Sequence, residues 1–226
     1  MNKSPSSLSL VVGVLAAVAL NATSLAQGFI GYENSDNTTQ LGQISLAKEF
    51  GDQITFNVPG GVEISQFSFE YYGTLTPADT KTAVLKLYAL DGAASANSFG
   101  RPTPGTLLFS STQIGAIKLD SGFNTVTIDG GGLTIGTPAN TIAWTVSFNG
   151  LSAGEEAGLL IYGGPSIGSS FNDFWTNDGG TWSLNQLDNG NIPVNFAAKA
   201  TIIPEPSTIA LALVGAAALL GLRRRQ

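Results

Sequence analysis

Apolar and polar residues alternate with a period of two along most of the central chain. In Ile142-Ala-Trp144-Thr-Val146-Ser-Phe148 the large apolar side chains fall on one face, with Ala, Thr and Ser on the other. That is the pattern of a half-buried strand. Phe67-Ser-Phe69-Glu-Tyr71 repeats it, and residues 84–90 are apolar enough for a central strand. Further strands are predicted over 53–58, 107–111, 114–119, 124–128, 158–162, 181–184 and 194–200. Turn signals separate them: Pro59-Gly60-Gly61, Asp91-Gly92, Pro104-Gly105, Asn149-Gly150 and Asp178-Gly179-Gly180. Asn-Gly and Asp-Gly supply the positive φ that tight hairpins need. A short turn at 76–80 is the one helical feature expected between 27 and 203. A turn roughly every ten residues predicts an all-β fold, an antiparallel sandwich or barrel. A β-sandwich of jelly-roll type is the first choice, because it brings the last strand (194–200) back into the core and lets Pro204 leave as a flexible tether.

The alternation stops at both ends. Residues 8–20 form an apolar run behind Lys3, followed by Ser24-Leu25-Ala26. A short basic region, a 13-residue apolar stretch and a small-residue site predict a signal peptide over 1–26. The cut falls between Ala26 and Gln27, with signal peptidase as the processing enzyme. At the other end, Pro204-Glu205-Pro206 precedes a 14-residue apolar stretch (209–222) and then Arg223, Arg224 and Arg225. The two prolines keep the chain extended. As a helix the apolar stretch would be ~21 Å long, short of the ~30 Å bilayer core. The arginines would stay on the cytoplasmic side. The predicted organisation is a signal peptide (1–26) forming an N-terminal signal helix, a β-sandwich ectodomain (27–203) and a sorting and anchor segment (204–226) with a short C-terminal transmembrane helix.

This tripartite tail resembles the PEP-CTERM sorting signal of Gram-negative bacteria. The resemblance rests on Pro204, Glu205 and Pro206, the short apolar helix and the arginine cluster. It implies recognition and processing by an integral-membrane exosortase, with transient inner-membrane anchoring. It also links the chain to the cell envelope or extracellular space, and to exopolysaccharide and biofilm. The ectodomain is loosely similar to exported "choice-of-anchor" domains, through Leu85-Lys-Leu-Tyr88, Pro104-Gly-Thr-Leu-Leu108, 142–148, and Phe174-Trp175 with Trp182. That similarity implies no particular activity.

Composition narrows the chemistry. The chain has no His and no Cys. Ser-His-Asp and Cys-His nucleophile systems cannot be built, and disulfides are excluded. Zinc, haem and iron–sulfur sites lose their usual ligands. Residues 27–203 hold six Lys or Arg against fifteen Asp or Glu, a net charge of -9. So acidic a domain has no cationic footprint for nucleic acid.

Three groups of residues are candidate sites. The segment 171–182 sets Trp175 and Trp182 beside Asn177 and Asp178, the residue types that stack on and hydrogen-bond a sugar. The alternative, which is preferred, is a hairpin turning at Asp178-Gly179-Gly180 with both tryptophans packed inward. Oxygen-rich loops at Asp91, Asp129 and Asp188-Asn189-Gly190-Asn191 could hold a structural Ca²⁺, but match no calcium-loop pattern. Turn chemistry accounts for them, so no metal or other cofactor is expected. Glu155-Glu156 is expected in a solvated loop, and no spacing places two acids on one strand face. The expected role is therefore that of an exported, non-catalytic surface or matrix protein. A carbohydrate-binding module with a sorting tail is the first alternative, and a carboxylate-dependent glycoside hydrolase the second.

Overall fold

The computed structural model describes residues 28–35, 40–76, 80–129 and 135–204. The signal segment, the residues after Pro204 and the two helices expected there lie outside them. Sixteen strands follow in chain order: β1 (Phe29–Glu33), β2 (Gly42–Ile44), β3 (Glu49–Thr55), β4 (Val62–Thr74), β5 (Thr82–Ala89), β6 (Leu107–Ser110), β7 (Ile117–Lys118) and β8 (Gly122–Asp129). Then come β9 (Ile135–Gly136), β10 (Thr141–Asn149), β11 (Glu156–Tyr162), β12 (Ser169–Ser170), β13 (Phe174–Asp178), β14 (Thr181–Asn185), β15 (Asn195–Phe196) and β16 (Ala198–Pro204).

They form two antiparallel sheets, so the fold is an all-β sandwich. The first runs β1-β16-β4-β11-β15, with β8 and β9 also on β4 and β2 also on β11. The second runs β14-β13-β3-β10-β5-β6, with β12 also on β3 and β7 also on β5. The period-two pattern explains the core between them. β10 turns Ile142, Trp144 and Val146 inward, each fully buried, and β4 turns Phe67, Phe69 and Tyr71 toward them. The Trp144 ring lies 5.4 Å from Phe67, 6.1 Å from Phe69 and 6.2 Å from Phe196. Burial of each such side chain contributes about 1.5–3 kcal/mol, and tilted or edge-on ring pairs add about 0.5–1.5 kcal/mol. With no disulfide, this aromatic centre carries the fold.

Several strands differ from their predicted bounds. β3 begins at Glu49, four residues before the predicted start. It can do so because partners within the fold satisfy both Glu49 and Asp52. The strand expected over 114–119 shrinks to β7, behind a 3₁₀ turn at Ser111–Gln113 and Gly115 at φ 124°. The strand expected over 194–200 breaks at Ala197 into β15, on β11, and β16, between β1 and β4. β16 then continues to Pro204. The turn expected at 76–80 falls largely outside the described residues.

Candidate functional site

The last strand hands the chain to the tail without an intervening linker. Ile202 is fully buried, opposite Phe29 on β1 and Ile64 on β4. The register slips between Thr201, which faces Gln66, and Ile202, which faces Ile64. Ser65 is thus left over in a bulge, where its Oγ donates to the Thr201 carbonyl at 3.3 Å. Pro204 does not leave the sandwich as a tether, as expected, but stands opposite Val62 as the last residue of β16. The Val62 N–H donates to Thr137 Oγ1 at 3.1 Å, and its carbonyl accepts from the Thr137 N–H at 2.8 Å. Pro204 has no N–H to offer. A terminal, non-donating place in the ladder is where a proline fits a sheet.

β1 begins where β16 ends. Phe29 pairs with Ile202 and Glu33 with Lys199, whose ammonium reaches the Glu33 carboxylate at 2.7 Å. Gly31 makes room for this pairing, since a Cβ there would overlap the Ile202 side chain. Pro204 lies at the end of the sheet, and Ala26, Gln27, Glu205, Pro206, Arg223, Arg224 and Arg225 lie outside the described residues.

The aromatic–polar segment forms a hairpin of β13 and β14. Gly179 and Gly180 both take positive φ, at 59° and 96°. This is the conformation that a two-residue turn requires. Trp175 is fully buried in a second apolar cluster with Tyr88, Ala143 and Leu184. Trp182 is half-buried, edge-on to Trp175 at 6.4 Å and to Tyr88 at 5.3 Å. Asn177 accepts from the Gly180 N–H at 2.8 Å and donates to Glu49 at 3.3 Å. Asp178, 82 % exposed, pairs with Lys48 at 3.3 Å. Trp175 thus offers no ring face to a ligand, while Trp182 and Asp178 reach the surface.

Glu49 organises the polar border of this cluster. It accepts from Thr145 Oγ1 at 2.7 Å, Tyr88 at 2.8 Å and Lys86 at 2.8 Å. Burial pushes its carboxyl up, but the bonds from Lys86, Thr145 and Tyr88 outweigh that and hold it below the ordinary value. Burial first, and the Glu49 carboxylate second, raise the Tyr88 phenol.

Two more carboxylates are enclosed. Asp52 shares the inward face of β3 with Phe50 and Ile54 and is fully buried. It accepts from the Gln53 N–H at 2.7 Å, Ser170 Oγ at 3.0 Å and the Phe196 N–H at 3.2 Å. Burial nevertheless drives its carboxyl well above the usual range, and Asp173 adds to the rise. Asp173, 1 % exposed, pairs with Arg101 at 2.8 Å, and burial raises it too. Sequence reading missed Asp52, although its signal was there: an acid in phase with Phe50 and Ile54 on an apolar strand face.

Glu155 corrects an expectation. It does not sit in a solvated loop, because its side chain is only 6 % exposed and forms an ion pair with Lys81, itself 2 % exposed. Thr76 and the Ser152 N–H, the latter at 2.8 Å, also donate to it. Lys81 first, then Thr76 and the backbone of Ser152, hold its carboxyl far below the ordinary range. Glu156, next in the chain, starts β11 and is exposed.

Among the described residues, no group of three or more Asp, Glu, His or Cys is placed to hold a metal ion. Nor is any helix there long and apolar enough to cross a membrane. No curated protein and no solved structure matches the chain. Residues 203–225 do match a family model, described as the PEP-CTERM protein-sorting motif. The match begins one residue before Pro204 and takes in the arginine run. Such a signal belongs to exported, envelope-associated proteins sorted through an exosortase. The chain thus carries a PEP-CTERM sorting signal at residues 203–225.

Proposed function

We propose that the protein is a non-catalytic component of the outer surface or extracellular matrix, associated with exopolysaccharide or biofilm. Signal peptidase removes 1–26, the membrane holds the chain through its C-terminal segment, and an exosortase then processes that segment. One observation carries this reading: the Pro204-Glu205-Pro206 tripeptide of the sorting motif begins at the last residue of a sandwich strand. The fold and the sorting signal are thus joined directly. The state of the carboxylates supports the non-catalytic part. Asp52 and Asp173 are buried, and Glu49 and Glu155 are bound to partners inside the fold. None of the four stands open for acid–base work on a substrate.

The test replaces Pro204-Glu205-Pro206 with three alanines in the native host and follows mature size and location. Loss of processing and retention at the inner membrane are expected. Unchanged processing and release would refute the reading.

One observation favours glycan binding as a second reading. Half-buried Trp182 lies opposite Asn177 across the β13–β14 hairpin, which sets an aromatic ring and a side-chain amide on one face. Retention of the 27–203 domain on matrix polysaccharide, lost in Trp182→Ala, would support it. No retention on any matrix glycan would end it.

A further inference from the structure

Pro204 is at once the first residue of the sorting tripeptide and the last residue of β16. Enzymes that read linear motifs bind them as extended chain, through backbone groups and alternate side-chain pockets. A residue already paired in a sheet cannot offer the edge that its neighbour covers. β4 covers one edge of Ile203, through Glu63, and holds Pro204 in the ladder opposite Val62. One residue earlier, β1 and β4 cover both edges of Ile202.

Three features make the end of β16 a separable unit. The bulge at Ser65 interrupts the register just before Ile202. The terminal pair, Pro204 with Val62, is held without the Val62 backbone groups, which bond Thr137 instead. Ile202 remains an anchor, fully buried and seated over Gly31 between Phe29 and Ile64. Peeling can therefore stop at Ile202 and leave the core intact, because local openings at strand ends cost far less than global unfolding.

We propose that the processing enzyme reads the tripeptide only when Ile203 and Pro204 are off β4, so that closure of the first sheet controls when the chain is processed. The inference rests on the reading of 203–225 as an exosortase signal. β16 lies inside the first sheet, between β1 and β4, so that sheet closes only after the last strand has arrived. A chain still folding presents its motif freely. A folded chain presents it only when the end of β16 opens.

The experiment follows conversion of precursor to processed form by pulse-chase in the native host, using the full chain. The first variant inserts Gly-Ser-Gly-Ser between Ile203 and Pro204, which frees the motif and leaves β16 in place. The second carries Glu63→Cys and Ile203→Cys, a cross-strand pair with side chains in reach of each other. The chain has no cysteine of its own to mispair. The spacer is expected to shorten the precursor half-life several-fold. The oxidised staple should lengthen it several-fold, and reductant should restore it. Equal rates for wild type, spacer variant and stapled chain would overturn the proposal. If the wild type and its Pro204-Glu205-Pro206 alanine variant behave alike, the sorting reading itself fails, and the gate with it.

Discussion

Phe29 lies opposite Ile202, so the first and last described strands run side by side and leave the sandwich at the same end. Residues 1–27 precede one of them and the sorting motif follows the other. Both terminal segments therefore attach to one end of the domain. β1 also covers the edge of β16 that β4 does not, and so closes the sheet on that side.

Removing β1 exposes that edge. A chain beginning at Gln27 is expected to melt in one cooperative transition. A chain beginning at Asn34 loses that transition and aggregates. Circular dichroism melts with light scattering check both, and an equally cooperative shorter chain would show that β1 is dispensable.

Gly51 admits no side chain. A Cβ there would overlap the Trp144 carbonyl oxygen and the Thr145 Cα, both backbone on the neighbouring β10. Gly51→Ala is expected to cost about 2–4 kcal/mol, in the upper range for overpacking. Gly164, where a Cβ would meet nothing within 4 Å, serves as control. Gly164→Ala should stay within about 0.5 kcal/mol of wild type in urea titrations.

Asp52 makes stability fall as pH rises. Its folded-state carboxyl titrates well above the ordinary value, chiefly because of burial. Its favourable contribution is complete below the unfolded value of about 3.9 and is lost as pH climbs through the folded one. Relative to Asp52→Asn, the wild type should lose at most about 1.4 kcal/mol per pH unit across that window. Urea midpoints of both chains from pH 3 upward measure it. A constant difference would mean that Asp52 titrates normally.

Glu155 acts in the opposite direction. Its carboxyl is held low by Lys81, then by Thr76 and Ser152. Its contribution is present above the unfolded value of about 4.3 and is lost as pH falls toward the lower folded one. Glu155→Gln should be less stable than wild type at pH 7, with the gap closing in acid. Lys81→Met should destabilise at pH 7, because it leaves an enclosed carboxylate without its cation. Thermal midpoints at pH 7 and pH 3 decide both.

The tryptophans divide by depth. Trp144 and Trp175 are fully buried and Trp182 is half-buried. Trp175→Ala should cost about 3–5 kcal/mol, and Trp182→Ala clearly less. Acrylamide should quench a Trp182-only chain far more than a Trp175-only chain.

Much of this architecture was legible in the residues themselves. Ile142 to Phe148 alternate so regularly that β10 and its inward face follow directly, because successive side chains must point to opposite sides of a strand. Asp178-Gly179-Gly180 announced its turn, since only residues tolerant of positive φ fit there. The sorting motif was readable because an enzyme recognises it as a linear string. Alternation marks the apolar face of a strand, but not which distant residues will cover either face. That left the depth of Trp175, the enclosure of Asp52 and Glu155, and the partner of Pro204 to contacts between distant parts of the chain. The residues alone specify an all-β chain with a sorting address. That the address starts inside a paired strand beside the N-terminal one follows only from the fold, because that pairing joins residues from opposite ends of the domain.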